Sequence, residues 1–247
     1  MKLLKQCGVM AIVICLPVSI NSIKAQQIIG GGKSLPAKEK SIITISSLTA
    51  KGDLVTLKTE LNTGLESGLT VSEIKEVLVH LYAYCGFPRS IRGLQTFMEV
   101  LNERKAKGIT ENAGKEASPI QQDTSKYQRG KKVLGELTQI TQPDKLSGYS
   151  AFAPVMDTFL KEHLFADIFE RDVLTFAQRE LVTISVIATI GNADPMLQSH
   201  LRISLNVGIT SEQLQEFVTI IKSTAGKKEA KAAQAILDSV LKDRASQ

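Results

Sequence analysis

The 247-residue chain has no tryptophan, four tyrosines and eight phenylalanines. So few aromatic faces argue against a protein that stacks nucleic-acid bases. Three cysteines are too few for a disulfide scaffold or a cysteine-rich zinc protein. The three histidines, His80, His163 and His200, stand far apart with no His-x-x-x-His, so no metal-ligand spacing is present and no metal is expected. A Gly-x-Gly-x-x-Gly motif and a phosphate loop are also missing, and Gly30-Gly31-Gly32 reads as a flexible start. No run alternates apolar and polar residues with a sustained period of two; apolar residues recur at three- and four-residue steps instead, as in Ile74, Val77, Leu78 and Leu81, so the chain reads as helix after helix. What remains is an ordinary globular composition, 43% hydrophobic and 22% charged, long enough for one large domain or two small ones.

The first 25 residues read as an address. Lys2 and Lys5 precede an apolar run from Val9 to Val18, then polar Asn21 and Ser22, then small Ala25. That order is a secretory signal peptide cut after Ala25, and the run is short for a membrane span. Export to the periplasm or the medium is therefore expected, with no membrane attachment after cleavage. Cys15 lacks the small residues before it that a lipid-attachment site requires. Cleavage removes Lys2, Lys5 and Lys24 and no acid, leaving 27 of the 30 basic residues against 25 acidic ones. The formal charge drops from +5 to about +2, so no strong pull toward nucleic acid or anionic membrane survives. Cys85 is then the only cysteine, either a buried thiol or a reactive one.

The rest of the chain states one helical pattern twice. With a shift of 139, Thr44-Ile45-Ser46 falls on Thr183-Ile184-Ser185, and Gly52 on Gly191. One inserted residue moves the shift to 140, which puts Leu57, Leu61 and Leu65 on Leu197, Leu201 and Leu205, Glu76 on Glu216 and Gly86 on Gly226. Thr70 followed by Glu73, and Thr210 followed by Gln213, each predict a capping box at a helix start, with Gly68 and Gly208 ending the helix before. Gly86 and Gly226 should stop the third helix of each copy, with further helices over about 89–105 and 227–243. The expected organisation is a first repeat over 33–106, a polar Gly/Ser/Pro linker over 107–126, and a second repeat over 127–243 with its own lead-in helices.

Particular stretches resemble a known family. Phe152-Ala153-Pro154, Phe159-Leu160-Lys161-Glu162, Asp167-Ile168-Phe169, Arg179-Glu180-Leu181-Val182-Thr183-Ile184, Ser199-His200-Leu201 and Leu205-Asn206-Val207-Gly208-Ile209-Thr210 look like carboxymuconolactone decarboxylases. The first copy adds the tail of the same pattern, Glu76 to Pro88. The resemblance implies an all-α fold, a tandem repeat of the decarboxylase and alkyl hydroperoxidase D-like helical bundle. It implies homo-oligomers, trimers or hexamers, with sites between helices, and neither metal nor organic cofactor.

The hydroperoxidase relatives use a Glu, a Cys-x-x-Cys pair and a His. Glu180 and His200 stand at the matching Glu and His positions, but Asn192-Ala193-Asp194-Pro195-Met196 replaces the cysteines. In the first copy Ser41 and Glu60 stand in the Glu and His places. The decarboxylase branch needs no thiol pair, only an anion pocket and an acid to protonate the carbon left behind. Each copy keeps part of the pattern, His80 and Cys85 in the first and Glu180 and His200 in the second. One composite site per chain is therefore expected, acting as an acid/base lyase on a small anionic organic molecule.

Each candidate has a plainer alternative. Glu180 could pair with Arg179 or Arg202 on a helix surface, and His80, among Leu78, Val79 and Leu81, could be a satisfied core residue. Arg89 and Arg92 follow the Gly-Phe-Pro turn, where they suit an anionic ligand or form a solvated basic face. Tyr82 and Tyr84 read as packing or pocket lining. Two rival functions remain at this level: a thiol-dependent peroxidase using Cys85 with an external thiol, and a non-catalytic binding or scaffold protein.

Overall fold

The computed structural model describes residues 32–246, so the expected signal peptide over 1–25 lies outside the described residues. Among the described residues all regular structure is helical. The first copy comprises α1 (Ala37–Lys51), α2 (Leu54–Glu66), α3 (Val71–His80) and α4 (Tyr82–Ala106). A lead-in unit follows, made of α5 (Lys126–Thr138), α6 (Gly148–Phe152), α7 (Pro154–Thr158) and a wide π-helical segment, Phe159–Ile168. The second copy is α8 (Phe176–Ile190), α9 (Asp194–Asn206), α10 (Ser211–Thr224) and α11 (Lys227–Ala245).

Local chemistry explains the helix starts. The Thr70 hydroxyl accepts from the Glu73 amide at 3.2 Å, and the Glu73 carboxylate accepts from the Thr70 amide at 2.7 Å. Thr210 with Gln213 repeats this box, and Thr175 with Gln178 forms a third that opens α8. Each satisfies two amides that a helix start leaves without partners. Gly86 does stop a helix: at φ +80° and ψ 161° it leaves helical geometry, so α4 is two helices meeting at a kink there, and an earlier turn at Leu81 separates α3 from the first of them. At the matching point in the second copy Gly226, φ +141°, separates α10 from α11.

The centre of the molecule is the pair α1 and α8. Of the 15 residues of α8, eleven are buried, because the helix is apolar nearly all round. Gln178 donates to Glu39 at 3.3 Å and Ser47 meets Thr189 at 2.8 Å, so the two helices run in the same direction. Glu39 and Gln178 are repeat equivalents, so a pseudo-two-fold axis passes between the copies there. Leu48, Ile42, Leu181 and Ile184 join Leu78, Phe97, Phe217 and Leu237 in one core spanning both copies. Neither copy buries its apolar face alone, and each such side chain contributes about 1.5–3 kcal/mol on burial.

The linker is not a free tether. Residues 107–125 hold no helix, yet the Asn112 and Ala113 carbonyls accept from the Val71 and Ser72 amides at 3.0 and 2.9 Å. They cap α3 from outside. Further along, Ser118 donates its amide and hydroxyl to Asp172, both at 2.8 Å, pinning the strap ahead of α8. In the lead-in unit α5 lies on the π-helical segment. A Cβ on Gly130 would stand 1.8 Å from the Lys161 carbonyl oxygen, so glycine is what permits the close approach. Val133, Leu137, Leu164, Phe165, Ile168 and Phe169 form a second, smaller core there, joined by Ile203 of α9.

Candidate active site

The axis dictates where the chemistry gathers. Glu180 and His200 come from α8 and α9, and the partners they face come from α3 and α4 of the other copy. His200 Nδ1 and Glu180 Oε2 are 2.8 Å apart. Glu180 is fully buried and the His200 side chain is 14% exposed. The carboxylate accepts from Nδ1–H, which fixes the tautomer and leaves Nε2 as the free nitrogen, the arrangement by which a carboxylate orients a catalytic imidazole. Glu180 therefore pairs with neither Arg179 nor Arg202; Arg202 bonds Asp243 at 2.7 Å.

His80 is brought to the same place and is fully engaged. The Arg179 guanidinium donates to Nδ1 at 3.1 Å, so the proton sits on Nε2, which donates to the Thr183 hydroxyl at 2.9 Å. Thr183 in turn donates to the Arg179 carbonyl at 2.9 Å. Burial, reinforced by the charges of Arg179 and His200, holds the His80 pKa well below that of an ordinary imidazole. With no free ring nitrogen and no access to solvent, His80 is placed to position its neighbours rather than to carry protons.

The depressed value has a consequence for acid stability. An unfolded His80 takes up a proton near pH 6.5 while the folded one does not. Its contribution is thus complete above pH 6.5 and is lost below it, at about 1.4 kcal/mol per pH unit, down to the folded value. The urea midpoint should fall from pH 7 to pH 5, and His80→Gln should flatten that fall. An equally steep fall in the variant would assign the titration to another group.

Behind His80 runs an ionic chain that sequence reasoning missed. Arg179, with no exposed surface, donates to Glu76 at 2.7 Å, and Arg171 donates to both oxygens of Glu76 at 2.9–3.1 Å. Burial pushes the Glu76 carboxyl up, but the two guanidinium groups outweigh it and hold the pKa below its usual value. The repeat carried a signal for this chain. The shifts of 139 and 140 place Lys40 on Arg179 and Glu216 on Glu76, and Lys40 and Glu216 do form an ion pair at 2.6 Å in the opposite half.

Tyr84, left as packing or lining in the sequence, closes the cluster. Its ring stacks on His80 at 5.6 Å and meets His200 edge-on at 5.9 Å. Burial, with the nearby Glu180 carboxylate, raises its pKa far above that of an ordinary phenol. The Tyr84 hydroxyl, Arg179 Nε and Glu180 Oε1 are all buried without a hydrogen-bond partner among the described residues. Unpartnered buried polar atoms are costly, and these three stand around the Glu180–His200 pair.

The other expected site residues lie elsewhere. Cys85 donates its thiol to the Leu81 carbonyl at 3.3 Å, and burial pushes the thiol up to about 11 despite the nearby Arg89 charge. Tyr82 stacks on Phe87 at 4.5 Å and lies 5.6 Å from His163. Arg89 is exposed and its guanidinium crosses Gly52, where a Cβ would be 1.5 Å from Nη1. It thus serves the C-terminus of α1, where a cation is favourable. Arg92 is exposed and donates to Gln95 at 2.7 Å. No hydrogen bond among the described residues joins these four to Glu180 or His200.

In the opposite half the same positions hold Ser41, Glu60, Ile220 and Thr224 in place of Glu180, His200, His80 and Tyr84. There Ser47 bonds Thr189 and Thr224 at 2.8 Å each, a hydroxyl knot with no imidazole. Two clefts, of about 610 and 170 Å³, open nearby on the described residues, and neither has Glu180 or His200 in its wall. Among the described residues no group of three His, Cys, Asp or Glu side chains is placed to hold a metal ion.

Comparison with known proteins bears on this arrangement. The profile of the carboxymuconolactone decarboxylase family matches residues 24–97 and 154–239, one match in each copy. A 4-carboxymuconolactone decarboxylase of Acinetobacter baylyi is 28% identical over 122 residues, covering 49% of this chain and 90% of that protein. An uncharacterized protein of Methanocaldococcus jannaschii is 27% identical over 79 residues, covering 32% of this chain and 74% of that protein.

Proposed function

Because the chain belongs to the carboxymuconolactone decarboxylase family, we propose that it performs acid–base lyase chemistry on a small organic acid at one site per chain. The observation that carries this reading is the buried Glu180–His200 pair with its free Nε2. Loss of carbon dioxide from a lactone acid breaks one carbon–carbon bond, and its electron pair moves into the conjugated system of the substrate. The carbon left behind then needs a proton. Protonated His200 supplies it from Nε2, while Glu180 stabilises the imidazolium through Nδ1–H. Tyr84 and Arg179, each with a donor unspent, favour an oxygen of the substrate that gains negative charge.

A thiol peroxidase has less in its favour. A thiol held up to about 11 is a poor source of thiolate near neutral pH, and Cys85 is the one cysteine among the described residues.

The purified protein is to be incubated with a panel of lactone acids, 4-carboxymuconolactone among them, and of hydroperoxides, with carbon dioxide release and the mass of Cys85 both followed. The expected result is carbon dioxide from at least one acid, abolished by His200→Ala. Peroxide consumption coupled to Cys85 oxidation, with no acid consumed, would overturn the proposal.

A further inference from the structure

The cavity of about 610 Å³ has no part in the chemistry just assigned, although it shares a wall with the cluster. It is an open cleft lined by the strap at 118–124, by α5 and by the turn leading into α8. Phe169 belongs to both places: its ring lies 5.1 Å from His80 and also lines the cavity. Ile120, Val133, Leu174 and Phe176 complete an apolar surface around it. The volume falls within the range of about 300–1,000 Å³ typical of small-molecule sites.

Guanidinium groups in this cavity keep hydrogen-bond donors unspent. Arg129 donates Nε to Glu170 and Nη1 to the Thr124 carbonyl, both at 3.0 Å, which leaves Nη2 without a partner among the described residues. Arg171 spends Nε and Nη2 on Glu76, which leaves Nη1. Lys132 makes no ion pair among the described residues. The two inner acids are already committed. Asp172 accepts twice from Ser118, a contact that brings its pKa down to about 2, and Glu170 accepts from Arg129. Asp123 and Glu136, exposed like Lys132, also make no ion pair among the described residues, so the rim carries charge of both signs while the inner donors are on Arg129 and Arg171.

We infer that this cavity is a second ligand site, which takes a small amphipathic carboxylate. Its apolar body lies against Phe169 and Phe176, and its carboxylate accepts from Arg171 and Lys132. A planar carboxylate matches a guanidinium edge better than any neutral group does. The site is independent of the function assigned to Glu180 and His200, so either can fail without the other.

The probe is 2-naphthoate, titrated calorimetrically into the whole protein, with uncharged 2-naphthalenemethanol as the shape control. One site per chain is expected. The alcohol, and naphthoate on Lys132→Glu, should each bind about tenfold or more weakly, the worth of a charge-assisted hydrogen bond. Lys132 is exposed, so that variant should fold normally. Ile120→Trp, which fills the cavity from the partly exposed strap, should abolish binding. His200→Ala should leave it unchanged. No heat up to about 2 mM naphthoate, against millimolar-or-tighter binding expected of such a site, would overturn the inference. So would equal affinity for the alcohol, indifference to both cavity variants, or loss of binding in His200→Ala.

Discussion

Glu76→Ala should cost about 3–5 kcal/mol of folding stability, the cost of leaving a buried charge uncompensated. Arg179 has no exposed surface and draws its charge balance from Glu76 at 2.7 Å. Without that carboxylate Arg179 stays buried and cationic, and the bonds to Glu76 that tie Arg171 into the chain are lost. The repeat provides its own control. Glu216 stands at the equivalent position and bonds Lys40, but the two side chains are 27% and 41% exposed. Glu216 also accepts from the Leu35 amide at 2.7 Å and the Ser34 hydroxyl at 3.1 Å, so the control variant is Lys40→Ala, which removes the ion pair alone. An exposed pair is worth about 0–1 kcal/mol, and Lys40→Ala should cost no more than about that. Urea unfolding followed by circular dichroism measures both. Equal losses in the two variants would mean that burial is not what makes the Glu76 contact strong. Restoration of stability by Arg179→Met in the Glu76→Ala background would identify the orphaned charge as the cause.

The second large effect concerns turnover of whichever acid the panel identifies. Glu180→Gln keeps the shape and a hydrogen bond to His200 but removes the negative charge that supports the imidazolium. General acid–base catalysis contributes about 10²–10⁴-fold, and kcat/KM should fall within that range with the circular dichroism spectrum unchanged. His200→Ala should fall as far, and the double variant no further, because the two groups act as one unit. Ser41→Ala and Glu60→Gln, at the equivalent positions, should leave turnover intact. Retention of kcat/KM within about threefold in Glu180→Gln, under 1 kcal/mol of barrier, would remove the pair from the mechanism.

Much of the fold was legible because its signals are local. Thr70 with Glu73, and Thr210 with Gln213, announce helix starts by hydroxyl and amide chemistry confined to four residues. The repeat was legible because it must preserve the same leucines and glycines. The π-helical segment at Phe159–Ile168 was not, since its apolar spacing also suits an ordinary helix. At the site, Glu180, His200 and His80 could be singled out as residues, but the state of His80 depends on contacts across about 100 positions. Nothing near His80 in the chain says that Arg179 occupies one ring nitrogen and Thr183 the other. Arg89 misled for the same reason: its neighbours in sequence suggest an anion site, while its neighbour in space is Gly52.

The pseudo-two-fold axis between α1 and α8 has a genetic consequence. In an assembly of identical subunits, a substitution that improves one site is imposed on every site. Joining two copies in one polypeptide removes that constraint. His200 and Glu60 descend to equivalent places, yet they can drift apart, as can Tyr84 and Thr224. One half of the chain can then specialise while the other is given over to packing, as the Ser47–Thr189–Thr224 knot is. Occupancy of the Glu180–His200 site should therefore saturate at one equivalent per polypeptide, however many polypeptides assemble.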